Sequence, residues 1–327
     1  MKDSKRILII GFGSIARKHV RTLKQNWPSF EIGIYKKGFF LKSDELNLCK
    51  RKFTTYQECL EWRPNYVIIA SPCSYHLDQA LFFARQGIPT FIEKPIGKGN
   101  ESKSSWDELF AFSKTVPIMV GYVFRHDECL KELQNILSLN SYGEIIEVES
   151  YCGSWLPDWR QNSDYKKSVS AQNKLGGGVL LELSHEIDLI NYLFGPVEIK
   201  YASSMNTNSL EIDVEDIALI HAECLSCKFL TVKLNFCTKP PERYIKIRFS
   251  NANITWELNN QIIRIKEPKA KESILYKSEN DLDYKYVKQF ENFFKFVENI
   301  ESCHCSVIDA FETLNLICNA KKISSKN

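Results

Sequence analysis

The chain opens with an alternation of short apolar runs and longer amphipathic stretches. Arg6–Ile10 is a continuous apolar run, followed from Ser14 to about Gln25 by a stretch with Ile15, His19 and Leu23 on one stripe. The same rhythm predicts strands at Phe30–Tyr35, Tyr66–Ala70, Pro89–Ile92 and Pro117–Tyr122. Helices are predicted between them at Tyr56–Trp62, Tyr75–Gln86 and Ser102–Lys114. Strands that are apolar throughout and linked by helices belong to a buried, parallel, doubly wound sheet. After Tyr122 the texture changes. A helix over His126–Leu139 leads into runs of β character at Ile145–Tyr151, Val197–Ser203, Ile217–Glu223, Phe229–Phe236, Ile245–Ser250, Asn253–Leu258 and Gln261–Ile265. Many alternate apolar with polar residues and are separated by short turn signals, the pattern of an antiparallel sheet with one packed face. One helix, Gly178–Phe194, interrupts the series, and two more (Tyr284–Ile300, Ser306–Lys322) close the chain; the lysine-rich Lys266–Lys277 reads as an exposed loop. The expected fold is α/β with two domains, 1–122 a dinucleotide-binding domain and 123–327 an α+β domain with an open, mainly antiparallel sheet.

Glycines punctuate the first strand. In Gly11-Phe-Gly13-Ser14-Ile15-Ala16, Gly11 permits a sharp turn and Gly13 a close approach of backbone to a pyrophosphate. Ala16 is small enough for the new helix to lie on the strand, and the helix N-terminus offers free N–H groups to an anion. Ligands of such sheets bind beyond the carboxyl ends of the strands, and two further strand ends carry unusual residues. One is Ser71-Pro72, with His76 opening the next helix. The other is Glu93-Lys94-Pro95, where the proline holds Lys94 extended. Taken alone, Lys94 could simply form an ion pair with Glu93.

Size and charge narrow the partners. At 327 residues the chain exceeds one ordinary core. Its 43 basic and 40 acidic residues leave a net charge of +3, with no basic stripe for nucleic acid. Met1-Lys-Asp-Ser-Lys-Arg resembles neither a signal peptide nor an anchor, and no apolar run approaches the roughly 20 residues of a membrane span. The expectation is a cytoplasmic protein with neither nucleic acid nor membrane as partner. Its eleven cysteines are expected as thiols. Cys224-Leu-Ser-Cys227, at a strand turn, and Cys303-His-Cys305, before a helix, read as packing or exposed residues, so no metal is expected.

Together the glycine turn, Ser71-Pro72 with His76, Glu93-Lys94-Pro95 and Gly176-Gly-Gly-Val-Leu-Leu-Glu-Leu-Ser-His185-Glu-Ile-Asp188 resemble the glucose–fructose oxidoreductase, inositol dehydrogenase and MocA (Gfo/Idh/MocA) family. The resemblance implies an N-terminal Rossmann domain, a C-terminal sheet that often makes dimer or tetramer contacts, and hydride transfer with NAD or NADP. The substrate would be a sugar or nucleotide-linked sugar, and the protein a homodimer or homotetramer. Lys94 is the implied catalytic lysine and His185 the implied general acid/base. The implied cofactor contacts are Gly11, Gly13, Ser14, Ile15, Ala16, Tyr35, Lys36, Ser71, Pro72, His76, Glu93 and Lys94. Many family members have an aspartate four residues before the histidine; here that position is Leu181, with Glu182 next and Asp188 three beyond His185.

The second strand ends in Tyr35-Lys36-Lys37-Gly38 without the carboxylate that usually binds the ribose of NAD, which leans the reading slightly to NADP. Trp155-Leu-Pro-Asp-Trp159-Arg160 through Tyr165-Lys-Lys167 offers rings to stack on sugars and cations for a phosphate or carboxylate. The same segment could equally be a loop packing its aromatics on the sheet. Candidate substrate residues are Lys94, Tyr122, Arg125, Trp159, Arg160, Tyr165, Glu182 and His185. The wording of Trp155–Arg160 and of Leu183–Asp188 is similar to a branch in surface-polysaccharide and sialic-acid-like sugar pathways, which suggests an activated or amino sugar. Two other readings stay open: an NAD-dependent glycoside hydrolase that oxidises its substrate transiently, and a non-catalytic dinucleotide-binding regulator.

Overall fold

The structure, a computed structural model, describes residues 4–38, 43–160 and 163–326. It divides into two compact units, residues 1–123 with 286–311 and residues 124–285 with 312–327. The first contains β1 (Arg6–Ile10), α1 (Ser14–Asn26), β2 (Glu31–Tyr35), α2 (Asp44–Asn47), β3 (Arg51–Phe53), α3 (Tyr56–Glu61), β4 (Tyr66–Ile69), α4 (His76–Ala84), β5 (Thr90–Glu93), α5 (Lys103–Phe112) and β6 (Ile118–Gly121). The six strands are all parallel, in the order β3-β2-β1-β4-β5-β6. That order reverses between β1 and β4, which makes the carboxyl edge there the binding crevice of a doubly wound fold. Pairing of Ile10 with Ile69, Ile69 with Ile92 and Ile92 with Val120 brings the ends of β1, β4, β5 and β6 level. Gly11, Ala70, Glu93 and Gly121 follow on the next rung.

The second unit contains α6 (Glu128–Leu139), β7 (Ile145–Gly153), α7 (Val179–Glu182), α8 (Ser184–Phe194), β8 (Glu198–Met205), β9 (Ile217–Cys224), β10 (Cys227–Asn235), β11 (Glu242–Phe249), β12 (Asn253–Glu257), β13 (Ile262–Lys266) and β14 (Ser273–Lys277). Its eight strands run β14-β13-β12-β11-β7-β10-β9-β8, antiparallel except for the parallel pair β7–β10. Burial alternates along β9, β11 and β12, so one face is core and the other is more open. The chain ends with α9 (Tyr284–Val297) and α10 (Val307–Ser324).

Residues 286–311 return to the first unit, unlike the unbroken division at 122/123, and the reason lies in the aromatic face of α9. Phe290, Phe293 and Phe294, at helical spacing, join the core of the parallel sheet. Phe290 and Phe293 lie 5.4 and 5.8 Å from the Phe91 ring, and Phe294 lies 5.2 Å from both Tyr66 and Trp27. Other departures from expectation are local. The stretch expected as one helix over 178–194 is two, because Leu183 leaves helical geometry (φ −97°, ψ 23°). The expected exposed loop 266–277 contains β14, which pairs with β13 as an edge strand. Its lysine and glutamate flanks are the charges that edges tolerate. α2 and β3 are too short, and β3 too charged, to show a period.

Phe290 is fully buried. Phe290→Ala is expected to cost about 3–5 kcal/mol of unfolding free energy, measured by urea denaturation. An unchanged midpoint would mean that α9 contributes little to this core.

Candidate active site

In the first unit the glycine turn does two different things. Gly11 has φ +97°, and a Cβ there would lie 2.7 Å from the Ala70 carbonyl oxygen, so β1 and β4 approach too closely for any side chain. A Cβ on Gly13 would meet no protein atom within 4 Å, so the protein's own packing does not demand glycine there. Gly13 is the N-cap of α1 and makes no side-chain cap, and the first turn carries no acidic residue. Exposed first-turn N–H groups at the end of a 13-residue helix, reached past a residue without a side chain, suit a pyrophosphate. Ser14 is exposed, Ile15 half-buried and Ala16 buried against the sheet.

Lys94 follows β5 at the same edge and is half-buried. Both its neighbours are tied down. Glu93 is buried, with Oε1 2.7 Å from Nε2 of the fully buried His19 and Oε2 accepting from the Lys94 backbone N–H at 3.2 Å. Each Glu93 oxygen thereby has a partner. His19 is wedged edge-on against Phe91 and Phe290, at 5.9 and 5.0 Å. On the other side, Nδ1 of His76 lies 2.8 Å from the Pro95 carbonyl and Nε2 lies 2.8 Å from the Ser71 carbonyl. His76 was expected among the cofactor contacts, and its two ring nitrogens face the carbonyls of Pro95 and Ser71. The ring is buried, burial pushes its pKa down against the pull of those two carbonyls, and it braces one strand-end turn against the next.

The adenosine-side candidates are joined by a chain of contacts. Ser71 Oγ donates to Gln79 Oε1 at 2.6 Å, and Gln79 Nε2 donates to the Tyr56 hydroxyl at 3.1 Å. The Tyr56 ring packs 4.6 Å from Tyr35 at the end of β2. Lys36 is half-buried and Lys37 exposed, and no carboxylate stands among these strand-end residues.

In the second unit the triple glycine allows tight packing before α7. Gly178 has φ +106°, and a Cβ there would fall 2.6 Å from the Glu215 carboxylate. Glu182 ends α7 half-buried, and His185, also half-buried, lies in the first turn of α8. His185 stacks on Phe124 with centroids 5.6 Å apart. Its Nε2 lies 3.4 Å from Oε1 of Glu186, a fully buried carboxylate in contact with Arg243. The sulfur of Cys152 joins His185 and Glu186 within 4.8 Å. That trio has ligand chemistry, but a guanidinium already meets the carboxylate's charge and would repel a divalent cation, so the donor set does not make a metal centre.

The expected substrate residues have partners within the protein. Arg125 is buried and grips Asp188 with two bonds of 3.0 and 2.7 Å, its guanidinium 4.5 Å from the Tyr192 ring. Asp188 also accepts from Thr313 at 3.1 Å, so its carboxylate serves Arg125 and Thr313. Tyr122 is buried at the end of the first unit. Trp159 donates to Ser154 Oγ at 2.8 Å and packs edge-on against Phe236 at 5.2 Å, as a loop aromatic lying on the sheet. Tyr165 accepts from the Glu211 N–H at 3.3 Å, Lys166 pairs with Glu211 at 2.6 Å, and Arg160 is half-buried. Sequence reasoning missed His19, Glu186 and Arg243. A polar residue within an otherwise apolar helix stripe was the available signal for His19, whereas nothing local marks Arg243.

Comparison with known proteins defines the class. Residues 5–122 match the oxidoreductase family with an NAD-binding Rossmann fold, and residues 130–255 match the GFO/IDH/MocA C-terminal domain. The chain belongs to the Gfo/Idh/MocA oxidoreductase family. The rhizopine catabolism protein MocA of Rhizobium meliloti is 25% identical over 210 residues, 62% of each chain. The scyllo-inositol 2-dehydrogenase (NAD(+)) of Bacillus subtilis strain 168 is 22% identical over 200 residues, 60% of this chain and 55% of that one. These matches span less than two thirds of those relatives' lengths. The WlbA dehydrogenase of Bordetella pertussis, solved with NADH and UDP-GlcNAcA, aligns at a TM-score of 0.79 and 17% identity over 100% of this chain and 97% of its own. A levoglucosan dehydrogenase solved with NADH and levoglucosan aligns at 0.81 and 14% identity over 98% and 97%. At such identities these alignments speak to the fold. Among the described residues no helix is long and apolar enough to cross a membrane.

His19→Leu strands the buried Glu93 carboxylate and is expected to cost about 1–3 kcal/mol in urea unfolding. Wild-type stability in that variant would remove the pair from the account of how Lys94 is held.

Proposed function

We propose that the protein is an NAD(P)-dependent oxidoreductase that moves a hydride between nicotinamide and a hydroxyl-bearing carbon of a sugar or nucleotide-linked sugar. The observation that carries this reading is Lys94 at the carboxyl edge of the parallel sheet, with Glu93 and Pro95 each anchored by a buried histidine. The nicotinamide cofactor, when bound, supplies the hydride acceptor or donor. Gly11, Gly13 and the first turn of α1 hold its pyrophosphate. Lys94 stabilises negative charge developing on the substrate oxygen or, after proton loss, accepts the hydroxyl hydrogen bond. His185 acts as general acid/base, and Glu182 contacts the substrate. Sugar chemistry is supported by family membership and by the sugar and nucleotide-sugar complexes of the two aligned dehydrogenases.

Lys36 and Lys37 favour a 2′-phosphate, so the cofactor preference leans to NADP. A homodimer or homotetramer built on the open sheet is supported by exposed Tyr201, Ile217 and Phe229 on its strands. We place the protein in the cytoplasm.

Lys94→Ala is expected to lower turnover about 10²–10⁴-fold while dinucleotide affinity, read by fluorescence titration, stays within about threefold. The assay is NAD(P)H absorbance over a panel of sugars and nucleotide sugars, and normal turnover by the variant would sink the mechanism. Lys36→Glu is expected to lower kcat/KM for NADP relative to NAD by roughly tenfold, about 1.4 kcal/mol. An unchanged ratio would mean that Lys36 does not read the ribose phosphate.

A further inference from the structure

Beside His185 lies a buried charge pair that the proposed chemistry does not use. Glu186 is fully buried, and burial pushes its pKa up while Arg243 opposes the rise. Its Oε1 touches an Arg243 Nη and lies 3.4 Å from His185 Nε2, and its Oε2 accepts from buried Ser150 at 3.2 Å. Arg243 also lies 3.9 Å from the centre of the Phe124 ring, the ring on which His185 stacks. One residue pair therefore touches the imidazole twice, through the carboxylate oxygen and through the aromatic ring. A surface ion pair would contribute little, but here the carboxylate is fully withdrawn from water and the guanidinium mostly so. His185 lies within 3.4 Å of that pair.

We propose that Glu186 and Arg243 are positioning residues that orient the His185 ring and set the charge it carries. The inference rests on the reading of His185 as the general acid/base. Beside the ring and the pair lie Cys152 on β7, Arg243 on β11, and Lys285, which lies 4.3 Å from the Phe124 ring and is itself paired with Asp127. An anion within about 4 Å favours the imidazolium and a cation disfavours it. Removing Glu186 leaves Arg243 alone beside the ring, so the imidazole should lose its proton at lower pH. Removing Arg243 leaves Glu186 alone, so it should hold the proton to higher pH. Damage to the fold would not move the two variants in opposite directions.

The test is an NMR titration of histidine-labelled full-length protein, which needs no substrate, with the His185 signal assigned by its loss in His185→Asn. Glu186→Gln should shift the midpoint down by about one unit, and Arg243→Met should shift it up by a similar amount. Glu186→Gln/Arg243→Met, which removes both charges, should lie between them. Because either single variant leaves a buried charge alone, Arg243→Lys serves as the variant that keeps the charge, and its midpoint should stay within about 0.3 units of wild type. Shifts of the same sign, or none, overturn the inference. If instead these shifts appear but His185→Asn turns over normally, the general acid/base reading fails and the charge coupling stands.

Discussion

The arrangement of the first unit depends on a single buried contact, the 2.7 Å approach of His19 to Glu93. A carboxylate withdrawn from water is costly unless it is bonded to partners that satisfy it. Here the partners come from different directions: a ring from the middle of α1 and the backbone N–H of the next residue. Two motifs more than seventy residues apart are thus locked into one register. α1 cannot shift along the sheet without stranding Glu93, and Glu93 cannot turn without releasing the backbone of Lys94. The N-terminal end of α1 and the lysine at the end of β5 are therefore fixed by the same interaction. α9 reinforces it, since Phe290 packs on the His19 ring and keeps water from the pair.

Much of this was legible in the chain. The buried strands β1, β4, β5 and β6 read clearly because a parallel sheet covered on both faces demands uninterrupted apolar runs, and the glycine turn read clearly because Gly11 has no room for a side chain. What did not read were properties of tertiary contact. The partner of Arg125, Asp188, is sixty-three residues away, and no local pattern announces the pairing. The brace made by His76 was equally hidden, because the carbonyls it spans belong to two separate turns. The return of residues 286–311 to the first unit was hidden because an amphipathic helix shows that it has an apolar face and does not show which core receives it.

The two units share a device. Lys94 is preceded by a buried glutamate and His185 is followed by one, and in each case the carboxylate is satisfied from a distant element: His19 on α1 for Glu93, Arg243 on β11 for Glu186. Anchoring the carboxylate on the adjacent residue fixes the position of Lys94 and of His185, because the backbone between them is common to both. The partners differ in kind: Arg243 brings a guanidinium to Glu186, while Glu93 meets an imidazole. The second unit is accordingly the one whose fixed charges can bias a neighbouring imidazole, and the first is the one whose pairing serves mainly to hold the backbone of Lys94 in place.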